Sequence, residues 1–160
     1  MESNKADKFT LVINSLNYFN RYNASISDQD YTIDNTNIPS GKYKCRFAFR
    51  SNNDTLAISA ANSYASIYLS VGTAQNNFIC DGRNIYQNSQ LIGFTQVIPT
   101  VDTAITNRAY CVASYDLNTP FYLNYKIGNL LRVTLKSGTL QTLYNATGDY
   151  LLMIEMVKID

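Results

Sequence analysis

Asp28, Asp30 and Asp34, followed closely by Asn35 and Asn37, form the most carboxylate-dense segment of this chain. Hard oxygen ligands at such short spacing suit Ca²⁺, although the spacing is not that of an EF-hand loop; the plainer reading makes these residues solvated acids in a turn. A second constellation is basic. Lys42, Lys44, Arg46 and Arg50 fall on one face of a single strand, and Arg132 with Lys136 extends the stripe if their segment lies alongside. Such a face suits phosphates or an acidic protein surface, or is simply the wet side of a sheet. A third is aromatic: Tyr18, Phe19 and Tyr22 cluster within five residues. Tyr joins apolar area to a hydrogen-bonding tip, which suits protein interfaces and sugar platforms alike. Lys42, Lys44, Arg46, Arg50, Tyr18, Phe19 and Tyr22 are therefore the candidate partner contacts.

The chain has 160 residues and no His, which excludes every mechanism built on imidazole within it: the Ser-His-Asp triad, the Cys-His pair and the His-ligated metal. Its three cysteines, Cys45, Cys80 and Cys111, form no C-x-x-C pair and are too few for a tetrahedral thiolate site. An odd count is poor material for a disulfide framework, and Cys45 lies among alternating apolar positions where a small buried hydrophobe belongs. A paired-carboxylate glycosidase needs two acids facing across a cleft, a relationship that ten Asp scattered through turn-like segments do not reveal. No catalytic, cofactor-binding or metal-ligating residue is assigned, and the expected role is not enzymatic.

Length argues for one domain, residues 1–160, with a packed core. Charged residues make up 16% against roughly a quarter in ordinary soluble proteins, and the net charge is +1. A weak overall field implies no long-range steering toward nucleic acid and favours association. No RNP-type aromatic pattern accompanies the basic stripe, so specific nucleic-acid readout is not expected. The opening MESNKADKF lacks the apolar core of a signal peptide, and no apolar stretch approaches the about 20 residues needed to cross a bilayer. The expectation is a protein made without secretion, with reduced thiols.

Two Glu, 13 Tyr and 19 Asn leave helix signals weak. In YKCRFAFR, Tyr43, Cys45, Phe47 and Phe49 alternate with Lys44, Arg46, Ala48 and Arg50, the period-two signature of a strand with one buried face. LRVTLK repeats it, Leu131, Val133 and Leu135 inward and Arg132, Thr134 and Lys136 outward. Further strands are read at 9–14, 65–71, 77–80, 91–98, 108–115, 121–125 and 150–159, with a short one near 31–33 inside the polar connection 17–37. The last of the seven, YLLMIEMVKI, is apolar on both faces except Glu155 and Lys158, so it is either covered on both sides or set against a neighbouring subunit. Turn signals at Pro39-Ser40-Gly41, Asp81-Gly82-Arg83-Asn84, Pro99, Asn118-Thr119-Pro120, Ser137-Gly138 and Gly148-Asp149 leave no room for crossover helices. An antiparallel sandwich or barrel follows. The N-x-[ST] matches at Asn23, Asn53 and Asn145 are what chance supplies in so Asn-rich a chain.

The order FTLVINS, IPSGKYKCRFAFRS, FYLNYKIGNLLRVTLKSGTL and DYLLMIEMVKI resembles the single jelly-roll minor capsid and penton-type proteins of tailless icosahedral double-stranded DNA viruses, the virophage, polinton-like and giant-virus group. The positions that carry the resemblance are Pro39, Gly41 and Tyr43, then Ile127, Gly128, Asn129, Leu131, Val133 and Leu135. The resemblance implies an all-β, antiparallel eight-stranded jelly-roll sandwich with a structural role in the virion. It also implies self-association as a pentamer or trimer, contact with a major capsid protein, no cofactor and no membrane span. Two other readings stand beside it: a carbohydrate-binding β-sandwich, lectin-like and Ca²⁺-dependent through Asp28 to Asp34, and a trimeric cytokine-like or C1q-like jelly roll.

Overall fold

The computed structural model describes residues 7–22, 27–33, 37–51, 64–70, 77–80, 85–89, 91–99, 109–114, 116, 119–128, 130–137 and 149–159. They form β1 (Lys8–Asn14), β2 (Asn20–Arg21), β3 (Asp28–Thr32), β4 (Gly41–Ser51), β5 (Tyr64–Ser70) and β6 (Asn77–Cys80). β7 (Ile85–Ser89), β8 (Leu91–Pro99), β9 (Ala109–Ala113), β10 (Phe121–Tyr125), β11 (Leu130–Ser137) and β12 (Tyr150–Lys158) follow. The chain is all-β, as its composition implies, with two antiparallel sheets. One has the order β1-β12-β4-β9-β8-β5-β11-β3-β2, with β10 also on β4; the other is the β6-β7 hairpin.

Alternation builds the core. On β4, Tyr43, Cys45, Phe47 and Phe49 are buried while Lys42, Lys44, Arg46 and Arg50 face out. On β12 Tyr150, Leu152, Ile154 and Met156 are buried, and on β11 Leu131, Val133 and Leu135. Each such burial contributes about 1.5–3 kcal/mol. These faces share one cluster with Tyr31 of β3, Ile67 of β5 and Phe121, Leu123 and Tyr125 of β10, so the long sheet folds over on itself. β4 is where the ladder branches. One β4 edge pairs with β12 from Tyr43 to Ser51, whereas the other is divided, β10 taking Gly41 to Cys45 and β9 taking Phe49 and Arg50.

Aromatic contacts tie β1, β12 and β10 to β4. Phe49 stacks on Tyr150 at 5.0 Å, and Tyr43 meets Phe9 and Tyr125 edge-on at 6.1 and 6.3 Å. The two segments of the capsid-like resemblance also touch: the Ile127 amide donates to Ser40 Oγ at 3.3 Å, and Tyr43 donates its hydroxyl proton to the Pro39 carbonyl at 2.5 Å. Between β10 and β11, Gly128 takes φ +81°, a left-handed conformation that glycine adopts without steric cost.

β1 lies along β12 from the Lys8–Val157 pair to the Asn14–Leu151 pair, and the Lys158 amide donates to the Asp7 carbonyl at 3.0 Å. Asn14 closes the turn after β1 by accepting the Leu16 amide on its side-chain oxygen, the role expected of the abundant asparagines.

The strands read from the sequence recur within a residue or two, but β2 and β7 are additional and the one near 31–33 is Asp28–Thr32. β2 is two residues long, too short to carry a period. Asp34, the Asp81–Asn84 turn, Asn118, Asn129, Gly138, Gly148, Tyr115 and the asparagines Asn23, Asn53 and Asn145 lie outside the described residues, as do the side chains of Cys80 and Cys111.

Candidate functional site

The chemistry-bearing residues divide into two surfaces. The first is the outward face of β1, β12, β4 and β10. Register places Lys8, Val157, Lys44 and Tyr122 on one rung, then Thr10, Glu155 and Arg46, then Val12, Met153 and Ala48, and then Asn14, Leu151 and Arg50. Lys42 faces out opposite Asn124 at the adjoining end. Lys8 pairs with Glu155 at 2.7 Å, so the one carboxylate on this face meets the outermost strand. β12 is central in its ladder, yet Leu151 is 42% exposed and Val12 beside it on β1 is 55% exposed. Of the two alternatives for the doubly apolar last strand, coverage on both faces is not seen among the described residues. A shallow cleft of about 300 Å³ at the end of this face is lined by Asn14, Arg50, Ser51, Asp149, Tyr150 and Leu151.

The basic stripe does not continue through Arg132 and Lys136. β4 and β11 are separated in the sheet order by β9, β8 and β5, so their outward side chains lie on different parts of the molecule.

Arg132 belongs instead to the second surface, around β2 and β3. Pairing of Asn20 with Asp30 and of Arg21 with Gln29 brings the 18–22 segment over β3. The Phe19 amide donates to the Asp30 carbonyl at 2.7 Å and the Tyr22 amide to the Asp28 carbonyl at 3.1 Å. Arg132 then grips Asp28 with two parallel hydrogen bonds, Nε to Oδ1 and an η nitrogen to Oδ2, both 2.7 Å, and Thr134 adds a third at 3.2 Å. Tyr22 donates to Asp30 Oδ2 at 2.5 Å, and its ring lies under the Arg132 guanidinium, 4.0 Å from centroid to Cζ. Arg21 stacks likewise on Tyr18 at 4.4 Å.

Asp28 and Asp30 are thus not solvated turn acids. They lie in a strand, 7% and 3% exposed, because Tyr22 and Arg132 cover a face that would otherwise be wet. The hydrogen bond to Asp28 raises the pKa of Arg132, and the hydrogen bond to Asp30 raises that of Tyr22. With its oxygens held by Arg132 and Thr134, Asp28 is committed to structure. Among the described residues no three His, Cys, Asp or Glu gather as a metal set. Tyr18, Phe19 and Tyr22 remain exposed, Phe19 most of all.

The structure therefore keeps the basic and aromatic candidates apart. The Asp28–Arg132 pair spans 104 positions in sequence; the only local sign of it is that each charge falls on the outward parity of its strand.

Cys45 is fully buried, and desolvation pushes its thiol up to about 12, which makes it an inert core residue. Among the described residues no helix is long and apolar enough to cross a membrane. No protein-family model and no curated protein matches the chain.

Proposed function

We propose that the chain is a structural virion protein, a single jelly-roll capsid component that acts by symmetric self-association and by contact with other capsid proteins. The observation that carries this reading is the nesting of its strand pairs: β1 with β12, β3 with β11, β4 with β10 and β5 with β8. First pairs with last and each inner pair follows in turn, as when one long antiparallel hairpin is rolled up; β12 on β4 and β11 on β5 join the pairs into runs of four, β1-β12-β4-β10 and β3-β11-β5-β8, which supports the jelly-roll reading. β2, the β6-β7 hairpin and β9 are additions to that frame. Residues of the capsid-like resemblance support it from key positions. Pro39 and Gly41 open β4, and Gly128 turns the chain into β11.

Light scattering and negative-stain imaging of the purified protein test the reading. Closed rings, or incorporation into particles with a major capsid protein, are the expected outcome; a strictly monomeric species that never joins a particle defeats it.

The exposed Tyr18, Phe19 and Tyr22 favour the second reading, a carbohydrate-binding sandwich. Glycan-array binding lost in Phe19→Ala would establish it. Its Ca²⁺-dependent form is disfavoured, since Asp28 and Asp30 already hold Arg132 and Tyr22.

A further inference from the structure

β1 and β2 are the two ends of the long sheet, and they differ in how their edges are protected. β2 is two polar residues long, Asn20 and Arg21, which is how a sheet edge is ordinarily blunted. β1 is blunted only by Lys8 at its start. Its seven residues, KFTLVIN, include no Pro or Gly, and Phe9, Thr10, Val12 and Ile13 are all strand formers. The hydrogen bonding fixes which backbone groups this strand leaves open. The Lys158 amide donates to the Asp7 carbonyl at 3.0 Å and the Ser15 amide to the Tyr150 carbonyl at 3.1 Å, so the bonded pairs of the antiparallel ladder fall on Phe9 with Met156, Leu11 with Ile154 and Ile13 with Leu152. Lys8, Thr10 and Val12 therefore turn both N–H and C=O away from β12, toward a side on which no described strand lies. Their side chains are exposed on the outward face, whereas Phe9 and Leu11, inward on the same strand, are only partly buried against the core.

Complementarity decides what covers this edge. A row of backbone donors and acceptors is satisfied by another extended backbone. A strand laid antiparallel to β1 would set alternate side chains beside Phe9 and Leu11 and the intervening ones on the outward face. The first kind must be apolar to extend the core. The second enters a positive field, because the outward face of β1, β12 and β4 carries Lys8, Lys42, Lys44, Arg46 and Arg50 against Glu155 alone. We propose that β1 is a docking edge for an extended segment of another protein, apolar at alternate positions and acidic between them, which joins the sheet as a further strand. This contact is independent of any role in a shell.

The experiment is amide NMR of the full chain titrated with an end-capped heptapeptide of alternating valine and glutamate. Before peptide is added, the Thr10 and Val12 amides should exchange with solvent faster than those of Phe9, Leu11 and Ile13. On titration the Thr10 and Val12 amides should shift and become protected. Methylating the backbone nitrogens of the glutamates, which face β1 in this pairing, should abolish binding, while methylating those of the valines should not. Thr10→Pro removes one edge N–H at an exposed position and should weaken binding roughly tenfold or more, whereas Thr10→Val should leave it unchanged. Circular dichroism confirms folding, and the methylated peptides carry the test if the Pro variant does not fold. Replacing glutamate by lysine in the peptide should weaken binding roughly fivefold at low salt, with the gap closing as salt rises. No binding, binding that leaves Thr10 and Val12 unshifted, or binding indifferent to glutamate methylation overturns the docking edge. Equal affinity for the lysine peptide overturns the acidic partner. Shifts at the same amides that grow with protein concentration alone would make a second copy the occupant and overturn the assignment to another protein.

Discussion

The hydroxyl of Tyr31 on β3 lies 2.9 Å from the hydroxyl of Tyr150 on β12, a contact that crosses the core between residues 119 positions apart. Tyr31 spends its single proton on Gln29 Oε1 at 2.5 Å, so Tyr150 must be the donor between the two hydroxyls. The roles are unequal. Tyr31→Phe strands both the Gln29 oxygen and the Tyr150 hydroxyl in a buried site where Gln29 Nε2 already lacks a partner; Tyr150→Phe strands only the Tyr31 oxygen as an acceptor. Tyr31→Phe should cost about 2–3 kcal/mol and Tyr150→Phe about 1 kcal/mol by urea denaturation. Equal losses, or the reverse order, would contradict the assigned donor.

The same pair predicts an alkaline limit. Burial raises Tyr31 from 10.0 to about 12, and Tyr150 well above its ordinary value for the same reason. The folded state thus holds its phenolic protons to higher pH than the unfolded chain. Stability should be intact below pH 10 and fall as pH rises through the window toward 12, because only the unfolded state readily ionises there. Denaturation midpoints followed against pH check this, and in Tyr31→Phe the slope should be shallower.

Arg132 and Asp28 should behave as a unit. Asp28→Asn weakens two charge-assisted hydrogen bonds in a nearly buried site, for an expected loss of about 2 kcal/mol. Removing Arg132 leaves the Asp28 carboxylate unpaired at 10% exposure, whereas Arg132 at 38% exposure is hydrated when Asp28 loses its charge, so Arg132→Met should cost more than Asp28→Asn. A double-mutant cycle reads the coupling directly; strictly additive single losses would mean that the pair contributes nothing.

Gly128 isolates a backbone effect. A Cβ there meets nothing within 4 Å, so Gly128→Ala is charged only for its φ of +81°, about 1 kcal/mol, and Gly128→Asn less. Melting curves that place the Asn variant below the Ala variant would refute that account.

Cys45 should resist thiol reagents in the folded protein. In a Cys80→Ser/Cys111→Ser background, labelling should be slow under native conditions and complete in denaturant, since burial both blocks access and raises the thiol pKa to about 12. Rapid native labelling would place the sulfur at the surface.

Strands with one open face are legible from their alternation, and β4, β11 and β12 lie where the pattern puts them. β3 is not, because both its faces are covered: Gln29 and Tyr31 point into the core, while Asp28 and Asp30 lie beneath Arg132 and Tyr22. An acid that will be buried by a residue a hundred positions away looks like any solvated acid. β8 hides its parity differently. A register shift opposite Ile67 and Tyr68 inserts Ile92, after which Phe94 is 51% exposed and Thr95 fully buried. The basic stripe on β4 is local and was readable; its supposed extension to Arg132 and Lys136 depended on which strands become neighbours, which no local period carries.

The seven-rung seam between β1 and β12 has a mechanical consequence. Asp7 and Ile159 leave it at the same end, so tension applied to the two extremities would peel the ladder one rung at a time, starting at Lys8 and Val157, instead of shearing all rungs together. In that direction the fold is a zipper. Resistance comes from the inward side chains of β1, Phe9 on Tyr43 and the buried Ile13, and a covering molecule over Val12 and Leu151 would clamp the same seam from its other face.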